Sequence, residues 1–158
     1  MLDVQDCPSM DYYFPCGLWP PHLSTLLIGG LKKPMSEWGL QNFPTSLVSL
    51  LLYGQNSGVV SFSLFVPPSL THLGVGCFME LESVSKGLQH LTCLQQLSFK
   101  SCPKLKDLPA ETILLLLSSL HVDNCPKLEK RCDSKKGKYW PIISQIPYLH
   151  VGRSQGLG

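Results

Sequence analysis

Apolar residues along this chain follow a frame that neither a helix nor a simple strand would produce. In residues 94–109, LQQLSFKSCPKLKDLP, they fall at Leu94, Leu97, Phe99, Cys102, Leu105 and Leu108. A helix would keep its leucines on one stripe at 3.6-residue spacing and would not carry Pro103 in its middle. Strict alternation, the mark of a strand, runs only from Leu97 to Phe99. The same frame recurs elsewhere. LSSLHVDNCPKLEKRC, from Leu117, repeats it at Leu117, Leu120, Val122, Cys125, Pro126, Lys127 and Leu128, and shorter copies start at Leu23, Leu47 and Leu70. The leading leucines at 23, 47, 70, 94 and 117 are spaced by 24, 23, 24 and 23 residues. All fifteen L-x-x-L-x-(apolar) positions of these five copies are apolar in a chain that is 44% hydrophobic, so the period is not a by-product of composition. A truncated copy (Leu2, Val4, Cys7) lies ahead of them, and a strand-like copy (Ile146, Leu149, Val151) closes the series.

A fixed period of this length outranks local propensity. Each unit supplies one short strand with alternate side chains turned inward, then bends so that a second pair, such as Leu105 and Leu108, closes the other side. One unit cannot bury its own apolar face, so neighbours must stack. The frame resembles the leucine-rich repeat. It predicts an α/β solenoid with a curved parallel sheet on the concave face, a mostly irregular convex side and few short helices. Strands are expected around residues 26–28, 50–52, 73–75, 97–99 and 120–122, with Leu26, Ile28, Leu73, Val75, Leu97, Phe99, Leu120 and Val122 buried. Pro44, Pro67, Pro68 and Pro109 suit an extended back wall. A fully buried leucine contributes roughly 1.5–3 kcal/mol, so four or five in each unit make an adequate core. The expected organisation is one domain over residues 1–158. Its repeats start near 1 (partial), 23, 47, 70, 94 and 117, followed by a C-terminal cap over 133–151 and a tail over 152–158.

Composition narrows the chemistry. A net charge of +2 over 158 residues points to no particular partner. Seven cysteines, an odd count with no C-x-x-C pair and no zinc-spaced histidines, suit reduced thiols in a cytoplasmic chain. Cys7, Cys102 and Cys125 hold the small turn position of the repeat, where a thiol acts as a small hydrophobe. The opening MLDVQDCPSMDYY lacks the basic start of a signal peptide, and the most apolar window, ILLLLSSLHV, is too short to cross a bilayer. None of Asn42, Asn56 and Asn124 sits in a glycosylation acceptor. The histidines (His22, His72, His90, His121, His150) are dispersed, and no nucleophile–base motif has a recognisable context. No enzyme activity, cofactor or metal is expected. The basic run over 127–138 reads as a solvated end cap rather than a nucleic-acid site. Trp140, followed by Pro141, is expected to open a short helix and plug the last repeat.

Two segments carry a closer resemblance. The doubled CPKLKDLP (102–109) and CPKLEKRC (125–132), with the tail KRCDSKKGKYWPIISQIPYLHV (130–151), are similar to the C-terminal end of the leucine-rich-repeat domain of plant nucleotide-binding, leucine-rich-repeat disease-resistance proteins of the coiled-coil class. The matching positions are Cys125, Pro126, Leu128, Arg131, Cys132, Gly137, Trp140, Pro141, Ile143, Ile146 and Pro147. Lys138 and Ile142 depart from that pattern, and AETILLLLSSL lacks its Gly-Leu-Pro-Ser-Ser-Leu punctuation. The resemblance implies a cytoplasmic protein-binding module of an immune receptor. It would hold the receptor's nucleotide-binding domain off and help recognise a pathogen effector, directly or through a guarded host protein. This chain contains no G-x-x-x-x-G-K-(S/T) phosphate loop, so nucleotide binding is not assigned to it. The first repeat enters mid-unit, which reads as a fragment of a longer receptor or a truncated gene product. A stand-alone repeat scaffold, or a substrate adaptor such as an F-box-like ubiquitin-ligase receptor, is the other reading left open.

Between the inward residues of each strand lie outward ones, and these are the candidate contacts. They begin with Thr25, Leu27 and Gly29, and the protein-binding set is Ser49, Leu51, Tyr53, His72, Gln96, Ser98, Lys100, Ser119, His121 and Asp123. Their chemistry is mixed, with no single-sign field. Leu51 and Tyr53 beside His72 form the best small amphipathic patch.

Overall fold

The computed structural model describes residues 2–5, 23–29, 46–54, 69–84, 88, 91–133 and 135–152, with side chains for all of these except 2–5, 28 and 29. Seven strands form one all-parallel sheet in sequence order: β1 (Leu2–Gln5), β2 (Thr25–Gly29), β3 (Ser49–Tyr53), β4 (His72–Gly76), β5 (Gln96–Lys100), β6 (Ser119–Asp123) and β7 (Tyr148–Gly152). The described helices are short: α1 (Glu111–Leu114), α2 (Pro126–Arg131) and α3 (Trp140–Ile143). Each of the five expected strand centres lies inside a strand. The strands at either edge come from the truncated copy and from IPYLHV. Cys7, Pro44, Pro67, Pro68, His22 and His90 lie outside the described residues.

Register follows the sequence frame without a slip. Leu2, Leu26, Leu50, Leu73, Leu97, Leu120 and Leu149 occupy one row across the sheet, and Val4, Ile28, Leu52, Val75, Phe99, Val122 and Val151 the next-but-one. Inward alternation then places like on like. Leu26, Leu73, Val75, Leu97, Phe99, Leu120 and Val122 are all buried as expected, while the side chain of Ile28 is not among those described. The leading leucines Leu23, Leu47, Leu70, Leu94 and Leu117 join the same core, and Leu81, Leu105 and Leu108 reach it from the return segments.

Backbone polar groups are satisfied by the adjacent copy. Ahead of β3 to β6, one carbonyl accepts from two successive amides of the next copy. Val48 and Ser49 donate to Ser24, Thr71 and His72 to Val48, Gln95 and Gln96 to Thr71, and Ser118 and Ser119 to Gln95. After β4, β5 and β6 comes a residue in the left-handed region: Cys77, Ser101 and Asn124, at φ of 57°, 54° and 55°. The amides of Cys77 and Ser101 donate at 2.9 Å to the carbonyls that close the following strand, on Lys100 and Asp123. Buried amides need such partners, and here the repeat supplies them.

The cysteine at the turn has a similar duty. The thiol of Cys102 donates to the Lys100 carbonyl at 3.5 Å, and that of Cys125 to the Asp123 carbonyl at 3.3 Å. The amides of Phe78 and Cys102 hydrogen-bond in turn to the sulfurs of Cys102 and Cys125. In the copy that starts at Leu70 the same position holds Phe78, which is buried. Its ring is accommodated because Gly54 lies beneath it. A Cβ on Gly54 would stand 2.3 Å from Phe78 Cδ1.

The last layer corrects one expectation. Trp140 opens α3 and packs only part-buried against the core, whereas Tyr139 is buried and its hydroxyl accepts the Leu108 amide at 3.1 Å. The site holds an amide in need of an acceptor, and an indole N–H can only donate. The Tyr139 amide donates to the Arg131 carbonyl, and Arg131 pairs with Asp107 at 2.8 Å. A second pair with the same 24-residue separation, Lys104 and Glu80, lies nearer solvent at 2.6 Å. Such exposed pairs are screened and support alignment of the return segments more than stability.

Two outcomes follow. Gly54→Ala should lower stability by about 1–3 kcal/mol through overpacking, and Phe78→Leu in the same chain should recover part of that loss. Urea midpoints at constant slope measure both, and strictly additive losses would show that the two positions do not compete for space. Tyr139→Phe should cost about 1–3 kcal/mol, because it leaves the Leu108 amide buried without an acceptor. An unchanged midpoint would discount that bond.

Candidate functional site

The outward face of β3 to β6 forms a groove of ≈ 440 Å³. Of the ten candidate contacts, Ser49, Leu51, His72, Gln96, Ser98, Ser119 and His121 line it. Tyr53, Lys100 and Asp123 do not. The groove floor is made by absence of side chains. A Cβ on Gly74 would meet Leu51 Cδ2 at 2.4 Å, and one on Gly76 would meet the Tyr53 ring at 2.8 Å. Leu51 therefore lies down across β4 in the groove and Tyr53 does so outside it, while the small side chains of Ser49, Ser98 and Ser119 leave the rest open.

Asp123 is a correction. It was expected to face outward with His121 but is 3% exposed. It ends β6 between Lys100 of β5 and Gly152 of β7, and its carbonyl accepts from Ser101 and from the Cys125 thiol. Lys100 is exposed, and His72 is half-buried with Nδ1 at 2.6 Å from the Thr71 hydroxyl.

The structure brings two of the dispersed histidines into contact on the outward face. His121 and His150 are register partners on β6 and β7, and their rings stack with centroids 4.4 Å apart and planes 19° from parallel. Burial holds His121 below the ordinary histidine range. The nearby His150 and Lys100 push it the same way, and Asp123 opposes them. The signal for this pair was present in the chain, because Leu120-His121-Val122 and Leu149-His150-Val151 are the same triplet in the same frame.

A second recess, of ≈ 560 Å³, lies at the β7 end between Glu129, Lys130, Cys132, Asp133, Trp140, Leu149 and Val151. Leu149 and Val151 are half-buried there, although their counterparts Leu120 and Val122 are fully covered. Among the described residues, no group of three or more histidine, cysteine or acidic side chains could hold a metal ion. No described helix is long and apolar enough to cross a membrane. Compared with protein families, curated proteins and solved structures, the chain matches none.

The thiols divide by position. Cys93 is exposed and Cys77 half-buried, while Cys102, Cys125 and Cys132 are buried. The hydrogen bond shared with Cys125, and then burial, push the Cys102 thiol far up. Burial, with Glu129 nearby, pushes Cys132 up to about 12. Alkylation needs an accessible thiolate. Among these five described thiols, a bulky maleimide followed by peptide mapping should therefore modify Cys93 first and Cys77 more slowly, and reach Cys102, Cys125 and Cys132 only after denaturation. Rapid modification of Cys102 or Cys125 in the folded protein would overturn their placement.

Proposed function

We propose that this chain is a leucine-rich-repeat solenoid from the C-terminal part of a plant nucleotide-binding, leucine-rich-repeat disease-resistance protein. In this reading it works in the cytoplasm as a non-catalytic binding module. Its outward sheet face contacts a pathogen effector or a guarded host protein, and the repeat region holds the receptor's own nucleotide-binding domain off. The observation that carries the reading is the pairing of two C-P-x-L copies, at Cys102 and Cys125, on turns of the same geometry that follow register-matched strands. That doubled motif is what the sequence resemblance rests on. The groove along β3 to β6 supports a binding role, since stacked repeats present such faces to proteins.

The coding context tests this directly. A full-length transcript that contains these codons is expected to encode a G-x-x-x-x-G-K-(S/T) loop several hundred residues upstream. An F-box-like helical segment in its place would transfer the chain to the adaptor class. Neither would remove the receptor reading.

A further inference from the structure

The outward face of the later strands is lopsided in charge. Lys100, His72, His121 and His150 stand on it. Asp123 is the only acid in the sequences of β2 to β7, and it is buried. Where β6 meets β7, the stacked His121 and His150 rings bring two titratable groups to 4.4 Å. Two imidazoles so close resist carrying charge together. In-plane lone pairs of two nearly parallel stacked rings do not converge on one point, which argues against a shared metal ion.

We propose that the His121–His150 pair is the docking point for an acidic segment of a protein partner, and that docking takes up a proton. This rests on the reading of the outward face as a protein-binding surface. A partner carboxylate supplies the negative charge that the face lacks, and it accepts charge-assisted hydrogen bonds from an imidazolium, which are shorter and stronger than neutral ones. The groups that bear on His121 come from three strands. His150 of β7 and Lys100 of β5 oppose its protonation, as burial does, and Asp123 of β6 favours it. In the free protein the opposing set prevails. A bound carboxylate reverses the balance, so the bound histidine holds its proton to higher pH than the free one. The gain in affinity is then fully present below the free value and is lost as pH rises through the bound value. Each unit of separation is worth a factor of about ten.

The test uses the 158-residue chain with fluorescein-labelled octaglutamate as probe and octaglutamine as control, read by anisotropy at low salt. Binding of octaglutamate should be about tenfold tighter at about pH 5.5 than at about pH 8, with no such change for octaglutamine. His121→Asn and His150→Asn should each flatten the pH dependence. His72→Asn, and joint replacement of Lys135, Lys136 and Lys138 by Gln, should leave it intact. Circular dichroism checks the fold of each variant. Should a histidine variant not fold, the imidazole proton resonances of the unmodified chain give the same answer, because octaglutamate must raise the titration midpoint of His121. The proposal is overturned if octaglutamate does not bind, if the pH dependence survives loss of both histidines, or if it follows the lysines. A chain encoded downstream of a phosphate loop yet indifferent to octaglutamate would lose this inference alone.

Discussion

Register between neighbouring copies is the constraint on which the structure depends. In a sheet whose side chains alternate, a one-residue slip would turn every inward leucine out to water. The slip is prevented several times over. Two amides of each copy share one carbonyl of the copy before, from Ser24 through Gln95. The left-handed Cys77 and Ser101 then commit their amides to the next copy, and the buried thiols of Cys102 and Cys125 close the turn within their own copies. Burial of the leucine row follows from this alignment and in turn keeps these hydrogen bonds away from competing water. The arrangement also explains why a cysteine recurs there. The position needs a small side chain that is content in an apolar core and still able to donate weakly.

Much of this was legible in the chain because the frame states it directly. Three apolar positions at fixed offsets define a strand and its inward face, and their return every 23 or 24 residues defines the parallel neighbour. What the frame could not convey was competition for individual sites. Phe78 stands where the pattern wants a small residue, and it is tolerated only because Gly54, a copy away, has no side chain. Trp140 is the more conspicuous aromatic, but the buried Leu108 amide requires an acceptor, and that selects Tyr139. Asp123 follows the outward alternation by its place in the strand, yet at the end of β6 it is buried.

The candidate site was legible as a face but not as a shape. Reading alternate positions identified seven of the residues that line the groove. The shape of that groove depends on Gly74, which lets Leu51 recline across β4. His121 and His150 were both legible as outward strand positions, but their contact depends on the register of β7 against β6. In a parallel sheet, proximity is measured by repeat phase, and these two share it.

The equal spacing of the strands has a consequence for how the chain reaches this state. The entropy lost on closing a loop grows only with the logarithm of its length, and here each strand from β2 to β6 meets its predecessor across nearly the same stretch of chain. No single distant closure dominates the barrier, so assembly can begin at any adjacent pair and extend outward. The step to β7 is longer. Leu149 lies 29 residues beyond Leu120, yet by the same logarithm that longer excursion, through α2, Tyr139 and α3, costs only about 0.2 kcal/mol more to close than the others, so the insertion carries a cap at almost no entropic penalty.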